Sequence, residues 1–532
     1  MAGKKVKATK KANVSEKANI VGIDLGTTFS ALAVLNAIGK PEIVPNADGE
    51  RLTPSAIFFD EEDSGVIRVG IEAINSRHLN AERSVRWIKR HMGDAKYSKK
   101  VDGKEWTPVD LSSLILKKLK QECSAEDGQI RDVVISVPAH FDEVRRKATM
   151  DAGVMAGLNV IGIVNEPVAA ALYYTTTREV SGKILVYDLG GGTFDVTIMD
   201  VNGHQMEIVC SQGDHALGGI DFDREILAML EQKYKKKFGT ELISSDEDRA
   251  KYEDEAEDIK KTLSRRLVAK KMLYGPSGSM RAEIKREEFK EAISSLIART
   301  DILVEVALEE AGVKPSGIDK VLLVGGSTRI PFVRERLEKM FGFAPEITVN
   351  VDECVALGAA LHAGLTMLRE KPEAVPVGIS GGLQDINLTD VCNHSYGTIC
   401  APVDKETGQR SIQNRIILRK NTPLPCEVSQ MFYTMSEGQT ELEVTITQGE
   451  DTAVEYVNKI ATHKFKLPPG RPAECPIKVT YSYDVNQRMH CKFQDLKSGT
   501  TLEVDFCLDK DGGMSQSNVR EKAEKLKAVK VE

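Results

Sequence analysis

Two aspartates close apolar runs and open turns rich in glycine and threonine. Asp24 lies in IVGIDLGTTFSALAVL (residues 20–35) and Asp188 in ILVYDLGGGTFDVTIMDV (residues 184–201). These residue types suit phosphate chemistry. Glycines let the backbone bend sharply and bring its N–H groups against phosphate oxygens with no Cβ in the way. Threonine hydroxyls add donors, and a carboxylate at each strand end can hold Mg²⁺ through water. One Asp-Leu-Gly says little. Two such hairpins facing each other would clamp a triphosphate from both sides.

Such residues need strands to carry them and helices to brace the strands. Each signature run is followed by an alternating run that reads as the return strand of a hairpin. From Ile20 to about Leu368, β-type runs alternate with helical patterns, which predicts an α/β fold. DVVISVPAHF reads as a strand and EVRRKATMDAGVMAGL as the helix after it. VIGIV is a short strand before the helix NEPVAAALYYTTT, and KVLLVGGSTRIPFVRERLEKMF is a strand, a Gly-Gly turn and a helix. Pro372, Pro376, Gly378, Gly381 and Gly382 then mark an exposed linker. Beyond it ELEVTITQG, CPIKVTYSYDV, RMHCKFQDL and TTLEVDFCL alternate with period two, describing a small all-β sandwich that stops near Asp509. The final NVREKAEKLKAVKVE is charged and helix-prone, with too little apolar surface to pack as a bundle.

At 532 residues the chain exceeds what one core organises, so two or three domains are expected. The net charge of −7 argues against a general nucleic-acid binder, which needs a basic surface. Lys4, Lys5, Lys7, Lys10, Lys11 and Lys17 make the N-terminus a local exception. The favoured reading is a disordered solubilising tail, with contact to RNA, ribosome or anionic lipid as the alternative. No run approaches the ~18 apolar residues of a membrane span, and no apolar stretch near the start resembles a secretory signal. The nine cysteines have no paired CxxC spacing, which argues against a zinc site. Six of them (Cys392, Cys400, Cys426, Cys475, Cys491 and Cys507) lie in the last third. They are expected as small buried hydrophobes in a reducing cytosol.

GIDLGTTFS, VPAHFDEVRRKAT, NEPVAAAL, YDLGGGTFDV, LGGIDFD, VGGSTRIP and NVDECVALGAA occur in the order found in the seventy-kilodalton heat-shock chaperone family (DnaK-like). The chain resembles that family from about Ile20 to Asp509. The resemblance implies an α/β, actin-like two-lobed ATPase domain over residues 19–371, a linker over 372–391, and an all-β sandwich over 392–509 that grips extended polypeptide. A Lys-rich tail (1–18) precedes them and a short charged helical tail (510–532) follows. The implied cofactors are ATP/ADP and Mg²⁺. Asp24 and Asp188 would hold the Mg²⁺ shell through water. Gly26, Thr27, Thr28, Gly190, Gly191, Gly192 and Thr193 would cradle the phosphates, with Thr193 also in the catalytic set. Glu166 and Asp195 would orient metal waters and the attacking water. Gly218 and Gly219 would approach the phosphates, while Gly325, Gly326, Ser327, Arg329 and Asp352 would border the adenosine. Glu257, Lys260, Lys261 and Ser264, at i, i+3, i+4 and i+7, share one helix face. Such a stripe is usually solvated; the resemblance assigns it to ribose and adenine.

The chain also departs from the family pattern. Where members carry a lysine after the first lobe's Val-Gly, reaching the γ-phosphate, VGIEAINSR has Ile74, with Arg77 nearby as a substitute. Losing such a contact costs on the order of 10²–10³ in rate, so nucleotide binding is expected and brisk hydrolysis is not. Gly162 stands where an arginine usually pairs with J-domain co-chaperones, although Asn165 in the same patch is kept. Pro138, Arg146, Asp385 and Asp390 match positions that couple the domains. The linker DINLTD puts Asn387 and Thr389 at apolar positions, which predicts weaker docking between the lobes.

NTPLP, SQMF, QTELEVTITQGE and LPPG match the family's peptide-binding sandwich. Phe432, Leu442 and Val444 would line a pocket for an apolar side chain, and Met435 would form one side of an arch over the peptide. CAPVDKETGQRSI makes the opposite side hard to place. Members usually continue into a helical lid where this chain has the short charged tail, so a weak, fast-exchanging peptide holder is expected. The favoured function is an ATP-dependent chaperone that couples nucleotide state to binding of unfolded polypeptide. The alternative is an ATP-binding, weakly hydrolysing regulator that works through a partner; a small-molecule kinase of the same superfold is remote. The implied partners are unfolded polypeptide, a J-domain co-chaperone and a nucleotide-exchange factor. No specific nucleic acid and no membrane is expected, and the location is cytoplasmic.

Overall fold

Both signature runs fold as antiparallel hairpins in the computed structural model, which describes residues 20–61, 65–127, 132–347, 350–403, 408–505 and 516–532. The Lys-rich segment 1–18, Cys507 and residues 404–407 of the polar insertion lie outside the described residues. In the first lobe, β1 (Ile20–Asp24) pairs with β2 (Phe29–Leu35), placing Asp24 opposite Ala31. A small sheet follows, in which β3 (Val66–Val69) pairs with the strand Ala56–Phe59. Helix α1 (Pro108–Asp127) leads to β4 (Asp132–Val137), α2 (Glu143–Met155), β5 (Asn159–Asn165) and α3 (Glu166–Thr177). β4 joins β1 in parallel and β5 joins β4. Their Val/Ile-rich sequences fit strands covered on both faces by helices.

The second lobe repeats the plan. β6 (Ser181–Leu189), β7 (Phe194–Asn202) and β8 (Gln205–Asp214) form an antiparallel meander. Helices α4 (Gly219–Phe238) and α5 (Asp246–Arg265) follow, and β9 (Lys320–Val324) pairs with β6 in parallel, as β4 does with β1. Helix α6 (Cys354–Glu370) is apolar nearly all round because it packs on β1, β4 and α3, in a cluster that also takes in β6 and β8 of the other lobe. The α3–α6 crossing is backbone to backbone: a Cβ on Gly358 would fall 1.8 Å from the Ala169 carbonyl oxygen.

The linker region is ordered differently from an exposed loop. It contains a short helix, Val377–Leu383, and β10 (Asn387–Thr389), which extends the second lobe's sheet as a parallel strand beside β8. Leu388 is buried, the Asn387 N–H donates to His204 O at 3.0 Å, and Asn387 Nδ2 donates to Gln205 Oε1 at 3.2 Å. The polar substitutions therefore do not hold the linker off, because ladder hydrogen bonds dock it and its polar side chains need no burial.

Two four-stranded sheets form the sandwich. β11 (Cys426–Tyr433) is the edge of one, and β12 (Glu441–Gln448) lies in the other. β13 (Pro476–Tyr483) pairs with β11 along its whole length. The C-terminal stretch does pack, contrary to its charged sequence. Helix α7 (Gln516–Lys527) lies on α2, and β14 (Lys530–Val531) adds to β3. Val519, Leu526 and Val531 supply the apolar surface, buried in the first lobe's core.

The α3–α6 contact yields a stability test. Gly358→Ala is expected to destabilise the protein by about 3 kcal/mol, since backbone must move to admit the methyl. A urea denaturation series reads this as a lowered midpoint.

Candidate functional site

The predicted aspartates stand at strand ends that converge on one cavity. Asp24 ends β1, and Asp188 sits opposite Asp195 across the β6–β7 hairpin. The cavity holds about 620 Å³. Gly26, Thr27 and Thr28 wall it from the first hairpin, and Gly190, Gly191 and Thr193 from the second. Glu166, in the first turn of α3, closes its floor; Gly325, Gly326, Ser327, Arg329 and Asp352 line the far side. Glu257, Lys260, Lys261 and Ser264 enter together from one face of α5. Asp195, Gly192, Gly218 and Gly219 stand one layer behind. Asp195 Oδ1 accepts the His140 N–H at 3.1 Å, Gly192 O accepts Arg90 Nε at 3.0 Å, and the Gly219 N–H donates to Gly190 O at 3.0 Å. The turns touch: a Cβ on Gly191 would fall 2.1 Å from Thr28 Oγ1, and one on Gly218 2.7 Å from Gly191 backbone.

A lysine missed in the sequence completes the floor. Lys89, in the short turn Ile88–His91, is buried and ion-paired with Glu166. Ile74 is not in the cavity wall; it packs half-buried against Ala56, Phe58 and Ala73. The stretch after Val-Gly folds as a helix (Ile71–Ser76) whose apolar side lies on the small sheet, so the expected loss of a phosphate-contacting cation at Ile74 is corrected. Arg77 is no substitute either. It reaches across the mouth of the cleft, with Nη1 2.6 Å from Asp254 Oδ1 and Nη2 2.8 Å from Glu253 Oε2. Arg86 reinforces that crossing, 2.8 Å from Asp254 and 3.1 Å from Glu257. The signal for Lys89 was only WIKRHMG, which reads equally well as a surface turn.

Four carboxylates face this one ammonium. Burial raises Asp24, Glu166 and Asp188, with Asp188 lifted well above the usual range by its carboxylate neighbours as well. Asp195 is pushed up to about 8 by burial and then by Glu166. Burial works to lower Lys89, but Glu166 and Asp24 outweigh it and hold the ammonium charged. The floor thus carries surplus negative charge in a poorly hydrated place, which suits a divalent cation. Burial works to raise Glu257 too, yet Lys261, Arg86 and Lys260 hold it down at about 2. Lys260 Nζ lies 2.7 Å from Asp223 Oδ2 and 3.0 Å from Gly219 O, so this stripe is a braced wall of the cleft.

A second cluster lies where the sandwich meets the first lobe. Tyr396 and Tyr483 hydroxyls donate to Glu143 Oε1 at 2.7 and 2.6 Å. Arg146 donates to Gln487 Oε1, and through Nη2 to Asn165 Oδ1 at 2.8 Å. Gln487 in turn donates to Asp390, which burial pushes up to about 6. Pro138 is buried nearby, whereas Asp385 is exposed and outside this network. Gly162 faces Asn486, and Arg488 Nη2 donates to the neighbouring Ile161 O at 2.6 Å, so the sandwich brings its own guanidinium to this patch.

In the sandwich, Phe432 and Leu442 come from facing sheets and are half-buried against its core, while Val444 belongs to that core. Met435 is 50% exposed just beyond β11. Arg410 Nη2 donates to Met435 O at 3.4 Å.

The family model described as Hsp70 protein matches residues 20–532. The chaperone protein DnaK of Thermotoga neapolitana is 37% identical over 496 residues, covering 91% of this chain and 79% of that protein. DnaK of Thermotoga maritima matches with the same identity and coverage.

The cavity floor separates the two isoleucine and lysine positions experimentally. Lys89→Ala is expected to slow single-turnover ATP cleavage on the order of 10²–10³-fold. Ile74→Ala should change it by less than about twofold, since it touches only the small sheet.

Proposed function

The chain belongs to the Hsp70 family, and from that membership we propose that the cleft between its lobes hydrolyses Mg-ATP to drive the sandwich. It is an ATP-dependent molecular chaperone that uses ATP/ADP with Mg²⁺, binds unfolded polypeptide and works with J-domain and nucleotide-exchange co-chaperones. The single observation that carries the hydrolytic reading is Lys89, an ammonium buried among Asp24, Glu166, Asp188 and Asp195.

Asp24 and Asp188 would hold Mg²⁺ through water, and the ion supplies positive charge to the phosphates and polarises them. The two hairpin turns present their N–H groups and the Thr27, Thr28 and Thr193 hydroxyls to phosphate oxygens. Lys89 Nζ meets charge building on the transferred phosphoryl group, a contact worth most where water is excluded. Glu166, held by Lys89, and Asp195, held by the His140 N–H one layer behind, orient the attacking water. Glu257, Lys260, Lys261, Ser264, Arg329 and Asp352 hold the adenosine. The reading of a non-hydrolysing relative leaned on Ile74, Gly162, the polar linker and the missing lid; of these, Ile74 lies away from this chemistry.

We assign the nucleotide-binding unit to residues 19–371, the linker to 372–391 and the peptide-binding sandwich to 392–509. Phe432, Leu442 and Val444 form the pocket wall, and Met435 with Arg410 arches over an extended peptide. Coupling runs through Arg146 and Asp390, which meet at Asn165 and Gln487 between lobe and sandwich. The location we propose is the cytoplasm, where cysteines stay reduced. No described helix is long and apolar enough to cross a membrane.

Single-turnover hydrolysis with and without an unfolded peptide tests this reading. Measurable turnover that peptide accelerates is the expected result; tight ATP binding with no cleavage by the wild type would overturn it. Arg146→Ala should keep ATP affinity within about threefold while abolishing the peptide's acceleration, because it removes the interface and spares the cleft. Calorimetry and the same turnover assay read the two effects separately.

A further inference from the structure

The sandwich and the C-terminal segment hold the first lobe by contacts of opposite character. The sandwich docks through polar groups (Glu143, Arg146, Asn165, Asp390 and Gln487), with Val144 as an apolar contact on its core. The C-terminal segment docks through apolar burial and a strand ladder. Val519, Leu526 and Val531 are 3%, 4% and 6% exposed within the first lobe's core. Lys530 and Val531 pair with Val66 and Ile67, and the ladder continues from the Glu532 N–H to Ile67 O at 3.0 Å and from the Val69 N–H to Glu532 O at 2.7 Å. Lys117 Nζ reaches both Leu526 O and Val529 O at 2.7 Å, satisfying carbonyls at the end of α7. Lys522 Nζ lies 2.9 Å from both oxygens of Asp110.

Both attachments use the same helix. The first turn of α2 carries Glu143, Val144 and Arg146 to the sandwich, while its flank carries α7. Ten residues, 506–515, join the last strand of the sandwich to α7. Fully extended at about 3.3–3.6 Å per residue, that many residues reach roughly 35 Å.

We propose that residues 516–532 are an intramolecular strap that ties the sandwich to the first lobe and limits its departure. The linker tethers the sandwich at one end and the strap at the other, so a sandwich that breaks its polar contacts stays at high effective concentration beside α2. Apolar burial is the suitable anchor for this task. It persists while the water-competitive contacts of the sandwich break and reform with nucleotide and peptide.

Hydrogen exchange on the full chain, read by mass spectrometry, tests the strap. One protein carries a protease site between residues 508 and 513 and is cut after purification; the other carries Leu526→Asp with Val531→Asp. In the cut protein, slow exchange at residues 66–69 shows that the strap is still docked. Exchange at 141–147 and 483–490 is expected to rise about threefold or more, because only the second tether is lost. In the double variant both regions should speed up together. Unchanged exchange at 141–147 and 483–490 in the cut protein, with 66–69 still protected, would overturn the proposal and leave the segment as packing alone. If the double variant does not fold, the cut protein decides by itself.

Discussion

A buried imbalance of charge organises the nucleotide cleft. Asp24, Glu166, Asp188 and Asp195 converge from both lobes, and Lys89 is the cation that meets them. In water such a cluster would cost little. Beneath a closed cleft each carboxylate loses hydration, and their mutual repulsion raises their affinity for protons or for a metal. The architecture has to hold that cluster together. It does so with two hairpins whose turns touch, a helix, α6, packed directly on the strand of one lobe and the helix behind it, and a row of cross-lobe ion pairs from Arg77 and Arg86. Positive charge supplied with nucleotide would relieve the repulsion.

A different balance governs the meeting of sandwich and lobe. Tyr396, Tyr483 and Arg146 are buried there, and each makes a hydrogen bond to a carboxylate or amide group. Such an interface is specific in geometry and modest in net strength, because each bond made replaces bonds to water. It can therefore open at small cost, as a regulated contact must. The linker strand beside β8 connects this interface to the sheet that carries Asp188 and Asp195. Changes at the cleft consequently have a continuous covalent and hydrogen-bonded route to the sandwich. The C-terminal strap adds an anchor of the apolar kind on the opposite flank of α2.

Much of this was legible beforehand for definite reasons. The hairpins, the α/β alternation and the sandwich follow from periodicity and glycine placement, which are local properties. Asp24 and Asp188, Gly26 and Gly190, and Thr28 and Thr193 were identifiable because both copies of the motif carry them. The α5 stripe was readable from helical spacing, although spacing did not reveal that Lys260 would be tied to Asp223 and Gly219. Lys89 escaped because no local pattern marks it; its meaning comes from Glu166 and the aspartates, all distant in the chain. Ile74 misled because an apparent position after Val-Gly was read without the helix that turns it toward the small sheet. The tail misled for a related reason. Val519, Leu526, Val529 and Val531 look too few to pack until a preformed core offers them a place.

By itself, the order of residues determined which segments bend, which alternate and which chemistry each turn can perform, since these depend on neighbours within a few positions. The family resemblance it carries implied the two-lobed plan, and its glycine- and threonine-rich turns are of types that suit phosphate. Only tertiary structure decided that Lys89 stands among the carboxylates of the cleft floor, that the polar linker docks as a strand, and that the last residues return to the first lobe. Those outcomes rest on contacts between residues hundreds of positions apart, where burial and charge acquire their value from what the fold places alongside.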